Sequence, residues 1–295
     1  MLFDRNLYSQ VVALAKGGRA TDKSRFAAAV MAFASCANAE IEPSLALYEG
    51  SASGARRAWK RDLGIFHKAD GIHPANWAAL ALGHAERFDR RIPGKRLRAE
   101  PAKSFDPSGK LRFYGFVYPT VLKMATISRA GGRPDKKLIE LLDWMYYCWH
   151  FSAPATLLAL QALSHDPPKD VFKNIGSTDR KRALAGIKNA AWDLVYITAW
   201  FERIKNQAQA NELIVLCSRD RVLLTVAELL RSAIFDGTMP PFEEAGFGSS
   251  ILQRYNSYLS DLSNPKRALK PLPADFESYK RKLVSELESE FLKAL

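Results

Sequence analysis

The chain has 295 residues, of which 47% are apolar and 25% charged, and its formal net charge is +12. This composition excludes the low hydrophobicity that is typical of disorder, and the length suffices for one domain with an insertion or for two modest domains. The positive charge favours a polyanionic partner, and nucleic acid is the most common one.

The first predicted element is a very short strand, Met1 to Phe3, which ends at Asp4. A helix-like pattern from Leu7 to Ala15 follows it. Charged residues stand where a signal peptide would need an apolar stretch, so we expect a cytoplasmic protein.

Basic residues concentrate in the next part of the chain, and this favours phosphate binding, although solvated helix faces are the alternative. The groups are Arg56, Arg57, Lys60 and Arg61; Arg87, Arg90, Arg91, Lys95, Arg96 and Arg98; and Arg180, Lys181 and Arg182. We select four of them as candidate nucleic-acid-binding residues: Arg90, Arg91, Arg96 and Arg98.

Helical periodicity dominates the middle of the chain, where apolar residues recur every three or four positions. The segment from Leu141 to Leu163 is apolar and long enough to span a membrane, but it contains Asp143, His150 and Pro154. Ionised groups are costly inside a bilayer. We therefore predict two buried helices that are broken near Pro154, and no membrane partner.

A second strand is predicted at residues 213–217, followed by Ser218, Arg219 and Asp220 and then by a helical pattern from Val222 to Leu230. This repeats the N-terminal order of strand, acid and helix. Ligands of open α/β sheets bind beyond the carboxyl ends of parallel strands, so we expect Asp4 and Asp220 at one sheet edge. The alternative is that each aspartate caps a helix.

The C-terminal part divides into two segments. Residues 237–272 are rich in Gly, Pro, Ser and Asn, which predicts irregular structure with little regular helix. From Asp275 onward an apolar stripe predicts a terminal helix that packs on its own chain or on a partner subunit. The stripe consists of Phe276, Tyr279, Leu283, Leu287, Phe291 and Leu295.

Other metal and catalytic motifs are absent from the sequence. The three cysteines show no spacing that indicates a disulfide framework or a zinc site, and none of the five histidines forms a pair with metal-ligand spacing. A nucleophile elbow, a phosphate-binding Gly-rich loop and a dinucleotide fingerprint are also missing.

Four segments together resemble the PIN-like nuclease superfamily, in the order in which that family carries its acids. They are residues 2–6, 43–49, 189–194 and 216–223. The resemblance implies an acidic catalytic and metal-binding cluster of Asp4, Glu49, Asp193 and Asp220, with Asn6 as a supporting group. Glu42 competes with Glu49 for the second position.

The resemblance implies a helix-rich α/β fold with a small parallel sheet. Because the gap between Glu49 and Asp193 is much longer than in compact PIN domains, a helical insertion is expected. The predicted division is a discontinuous PIN-like core at 1–55 and 186–240, a helical insertion at 56–185, and an irregular segment with a C-terminal helix at 241–295.

Converging carboxylates repel one another unless a cation binds between them, and their hard oxygens suit Mg²⁺ or Mn²⁺. One or two such ions can activate water for in-line attack on a phosphodiester. We therefore expect a metal-dependent endoribonuclease acting on single-stranded or looped RNA. Asn189 shares a helix face with Asp193 and is expected to orient it, unless it is an ordinary exposed asparagine.

The family contains many toxins, so the resemblance also implies a toxin or defence role and allows an inhibitory protein partner or a homo-oligomer. Two alternatives stay open. One is a non-catalytic, basic, helical protein that binds nucleic acid or another partner, and the other is a structure-specific DNA nuclease.

Overall fold

The computed structural model describes residues 1–52, 58–89, 108–205, 212–238, 240–264 and 273–293. Most of these residues are helical. In chain order the elements are β1 (Leu2–Phe3), α1 (Arg5–Ala15), α2 (Asp22–Cys36), α3 (Ser44–Ala52), α4 (Ala58–Asp70), α5 (Pro74–Leu82), α6 (Ser108–Arg129), α7 (Pro134–Tyr147), α8 (Ala153–Ala162), α9 (Arg180–Ile204), β2 (Leu216–Cys217), α10 (Arg221–Phe235), α11 (Ser249–Leu262) and α12 (Phe276–Lys293).

The chain forms two compact units. Unit 1 comprises Met1–Leu111 and Glu202–Asp220, and unit 2 comprises Arg112–Phe201 and Arg221–Leu295. These units have other bounds than the domains expected from the sequence, and the expected division into core, insertion and tail stays a prediction.

The sheet of unit 1 is small and parallel. This agrees with the prediction from the two segments in which a strand is followed by an aspartate and a helix. Leu2 pairs with Leu216 and Phe3 pairs with Cys217. Leu2 also forms a parallel bridge with Glu42, on the edge of β1 that does not face β2. The second strand is shorter than expected, because only Leu216–Cys217 of the predicted residues 213–217 belongs to it.

The resemblance to the PIN-like nuclease superfamily is wrong. Among the described residues the sheet consists of two strands of two residues each, which is too little for a PIN-like core. The physical reason lies between Glu49 and Asp193, where apolar residues recur at three and four positions and so favour helices over further strands. The coarser prediction of a helix-rich chain with a small parallel sheet is confirmed.

The core of unit 1 forms where β1 and the first helices pack together. Helix α2 begins at a capping box, in which Thr21 and Ser24 satisfy each other's backbone amides, and it packs against α1 and α5. Phe66 from α4 lies edge-on to Phe3 and stacks on Tyr8. Because these rings are buried, β1 and α1 are held against the helical core.

Unit 2 contains the apolar segment that has the length of a membrane span. Helix α7 ends at Tyr147 and α8 begins at Ala153, with Pro154 in its first turn, so the predicted break is confirmed. Both helices are buried along their apolar faces. Among the described helices, none combines the length and the apolar character that a membrane span requires.

The expectation of irregular structure over residues 237–272 is wrong in its middle, because α11 occupies Ser249–Leu262. Its buried residues Ile251, Tyr255 and Tyr258 stand four and three positions apart, which is the period of an amphipathic helix. That stripe outweighs the surrounding turn-forming residues. The terminal helix is confirmed as α12, and its Leu287 and Phe291 are buried within this chain.

Candidate acidic strand edge

Asp4 follows β1 directly and is 4% exposed. Its backbone is extended, and its Oδ1 accepts a hydrogen bond from the backbone N–H of Leu7 at 2.6 Å. Asp4 is therefore the N-cap of α1, which was the structural alternative for this residue. The backbone N–H of Asp4 also donates to the carbonyl of Cys217 at 3.2 Å, so the residue sits where the parallel ladder ends.

Ser218 follows β2 as Asp4 follows β1, and its hydroxyl connects the two aspartates. The Ser218 Oγ donates to Asp4 Oδ2 at 2.5 Å and accepts a hydrogen bond from the backbone N–H of Asp220 at 2.9 Å. Asp220 is partly exposed, whereas Ser218 is buried. We call Asp4, Ser218 and Asp220 the acidic strand edge.

Ser218 is not among the candidate site residues that the acidic motifs of the sequence indicate. The available signal was its position directly after an apolar strand, which is the position that Asp4 occupies in the other strand.

Glu49 is connected to the acidic strand edge by an ion pair with Arg5. The residue lies in α3 and is 9% exposed, and its Oε1 is 3.5 Å from the Arg5 guanidinium. Arg5 follows Asp4 in the chain and has 45% of its side chain exposed. Glu49 thus pairs with the residue that directly follows the buried Asp4 in the chain.

Glu42 takes a different position. It lies beside β1 on the edge that does not face β2, its side chain forms an ion pair with Arg203, and it accepts a hydrogen bond from Ser44. The pairing with Glu42 raises the pKa of Arg203 mainly through their hydrogen bond. The preference for Glu49 over Glu42 as the second acid stays a prediction.

Asp193 lies in the part of α9 that belongs to unit 2, whereas Asp4, Glu49 and Asp220 lie in unit 1. Asn189 donates through Nδ2 to Asp193 Oδ2 at 3.2 Å, as expected for residues four positions apart on a helix. Asn6 is exposed in the first turn of α1. The catalytic role of these residues stays a prediction.

Whether the acidic strand edge can bind a divalent cation depends on how many protein oxygens the cation requires as ligands. In the part of the chain that the structure describes, no three His, Cys, Asp or Glu side chains are grouped as a metal cage would require. Mg²⁺, however, is often held by only one or two carboxylates, with water and substrate phosphate as its other ligands. Asp4 follows one strand and Asp220 follows the other, so this edge offers the two carboxylates that such a shared ion requires.

The four arginines selected for nucleic-acid binding, Arg90, Arg91, Arg96 and Arg98, lie outside the described residues. A different arginine, Arg219, lies at the acidic strand edge. Arg219 stands between Ser218 and Asp220, is exposed, and has its guanidinium 5.7 Å from the ring centre of Phe26 in α2.

A buried thiol ends β2 below this edge. Burial raises the pKa of Cys217 to about 11, the nearby N-terminal ammonium lowers it, and the negative charge of Asp4 raises it. Cys36 and Cys148 are exposed, and all three cysteines are free. Cys217 is therefore a packing residue of the strand at neutral pH, when its thiol is protonated.

Comparison of this chain with protein-family profiles, with curated proteins and with solved structures gave no match.

Proposed function

We propose that this chain is a divalent-metal-dependent phosphodiesterase that cleaves nucleic acid, with RNA as its substrate and the cytoplasm as its compartment. The observation that supports it is the parallel register of β1 and β2, which brings Asp4 level with Ser218 and Asp220 two residues further along. Carboxylates that follow adjacent parallel strands stand where ligands of α/β sheets bind.

The roles of the side chains follow from their exposure. Asp220 is the more accessible of the two carboxylates and would contact an Mg²⁺ or Mn²⁺ ion directly. The carboxylate of the buried Asp4 is fixed in position by its hydrogen bonds with the Leu7 amide and the Ser218 hydroxyl. The ion would supply a water of lowered pKa and neutralise charge on the phosphate. Arg5 and Arg219 are exposed next to these acids and are suited to hold the phosphate backbone.

The net charge of +12 supports a polyanionic substrate rather than a small neutral one. A single-stranded or looped RNA is preferred, because its unstacked nucleotides can be splayed out to reach a protein surface. A toxin or defence role rested on the resemblance that the fold contradicts, and it is not part of this proposal.

A second function has its own supporting observation. Asp4 caps α1 and Glu49 is paired with Arg5, so each of these acids has a structural task. If these structural tasks are the only roles of the acids, the chain is a non-catalytic, basic protein that binds nucleic acid.

Cleavage assays with end-labelled substrates separate these functions. Single-stranded RNA, single-stranded DNA of the same sequence and duplex DNA are incubated with wild-type protein in Mg²⁺, in Mn²⁺ or in EDTA. Asp220→Asn is the test variant, and Glu212→Gln is the matched control because Glu212 is an exposed acid of the same unit. Both variants are purified in the same way, so a contaminating nuclease would appear in both.

We expect metal-dependent cleavage of RNA by wild type and Glu212→Gln, and a loss of about 100-fold or more in Asp220→Asn. Cleavage of DNA alone would identify the DNA nuclease. Equal rates for the two variants would exclude a catalytic role of Asp220, and RNA binding without any cleavage would favour the non-catalytic function.

A further inference from the structure

Helix α2 presents two phenylalanines to solvent. Phe26 is 38% exposed and Phe33 is 60% exposed. They stand seven positions apart, so they lie on one face of the helix, about 10.5 Å from each other along its axis. A different face of the helix carries the buried residues Ala27, Ala28 and Met31.

Exposed phenylalanines at helical spacing require an explanation, because α2 already has a complete apolar face inside unit 1. A single exposed apolar side chain is ordinary, but two aromatic rings on the solvent face of one helix form a patch. Capping by Thr21 and packing against α1 and α5 hold this helix in place, so the rings are presented on a rigid support.

The patch is joined to the acidic strand edge by Arg219. The Arg219 guanidinium lies over the Phe26 ring at 5.7 Å, and its chain neighbours Ser218 and Asp220 belong to the edge. Among the described residues Arg219 forms no ion pair with a carboxylate. An arginine on an aromatic face keeps its outer N–H groups available for a phosphate or for stacking on a base.

We propose that Phe26, Phe33 and Arg219 form a stacking surface for a single-stranded nucleic acid, on which bases of the strand stack on the two rings while Arg219 contacts its backbone. This inference rests on the proposed function, since it assigns to that site the way in which the substrate is held.

Charge complementarity favours a nucleic acid over a second copy of this chain. Each copy carries a net charge of +12, so two copies repel, whereas a phosphate backbone is attracted. Proteins that hold single strands combine cationic side chains with aromatic rings, because every base has a π-face that can stack on them. The spacing of the two phenylalanines leaves room for a separate base on each ring.

The test measures binding of a short RNA that contains 2-aminopurine, in EDTA so that no metal-dependent cleavage occurs. Stacking of 2-aminopurine on a ring quenches its fluorescence, which a merely electrostatic contact does not do. Phe33→Leu is the test variant, since it keeps an apolar side chain and removes the ring. Phe235→Leu is the control, because Phe235 is also half-exposed but lies in unit 2. Thermal melting establishes that both variants are folded.

We expect Phe33→Leu to raise the Kd for the RNA about five- to tenfold and to reduce the quenching, while Phe235→Leu binds as wild type does. Unchanged affinity and quenching in Phe33→Leu would overturn the proposal. A wild-type dimer in light scattering that Phe33→Leu converts to monomer, with RNA affinity unchanged, would also overturn it and assign the face to a second copy.

Failure of the proposed function gives a different result. If wild type cleaves no substrate but its RNA binding still depends on Phe33, the stacking surface stands and the phosphodiesterase does not. If wild type cleaves RNA and Phe33→Leu binds it equally well, only the stacking surface is excluded.

Discussion

Ser218 and Asp4 are 214 positions apart in the chain, and their side chains meet in a buried hydrogen bond at the ends of two parallel strands. The same Asp4 carboxylate caps α1 through the Leu7 amide. One carboxylate therefore joins the start of a helix to the end of a distant strand. Any catalytic role proposed for Asp4 has to be separated from this structural one.

Substitution of Asp4 separates the two roles by stability. Asp4→Ala removes the helix cap and leaves the Ser218 hydroxyl without its acceptor, so we expect the free energy of unfolding in urea to fall by about 1–3 kcal/mol. Asp4→Asn keeps an oxygen for the Leu7 amide and should cost much less, because asparagine is also a good N-cap.

The same pair of variants then serves as a control for activity. A cleavage defect in Asp4→Asn without a stability defect would mark the charge itself as functional. Equal stability losses in both variants would contradict the capping account.

The predicted catalytic role of Asp193 is tested by Asp193→Asn. Asparagine has the same shape, and its side-chain oxygen can still accept the hydrogen bond from Asn189, so we expect the melting temperature to stay within a few degrees of wild type. Metal-dependent cleavage should be lost if Asp193 is catalytic. Cleavage near the wild-type rate in this folded variant would remove Asp193 from the site.

Thiol labelling with a disulfide reagent tests the position of Cys217. Because its pKa is raised to about 11, only about one in 1,000 of its thiols is ionised at pH 8, and burial further limits access. We expect Cys36 and Cys148 to react quickly in the native protein and Cys217 slowly. In guanidinium chloride all three should react quickly, and fast reaction of three thiols in the native protein would contradict the burial of β2.

Salt dependence tests the arginines that were selected from the sequence. The combined variant with Arg90, Arg91, Arg96 and Arg98 changed to glutamine should bind RNA more weakly. The slope of log Kd against log salt should become shallower by about 0.7 for each phosphate contact that is lost. The Lys136→Gln and Lys137→Gln double variant is a control for loss of positive charge elsewhere in the chain. An unchanged slope of log Kd against log salt in the quadruple variant would exclude these arginines from the nucleic-acid interface.

Several elements were predictable because their signals are local. The two segments of strand, acid and helix, the break near Pro154 and the terminal helix all follow from patterns that extend over a few turns or residues. The contact between Asn189 and Asp193 belongs to the same class, since the two residues are one helical turn apart. The helix at Ser249–Leu262 was not predicted, because the Gly and Pro residues around it are stronger local signals than its own apolar period.

A basic, helix-rich chain in which aspartates follow two short strands can be inferred from the amino-acid sequence alone. The folded chain was needed to show that Asp4 pairs with Ser218, and that Glu42 pairs with Arg203 while Glu49 pairs with Arg5. It also showed that the sheet of the described residues has two strands. The physical reason is that helix and strand patterns depend on near neighbours. The partner of a buried carboxylate depends instead on which distant segments pack together, and no short stretch of sequence carries that information.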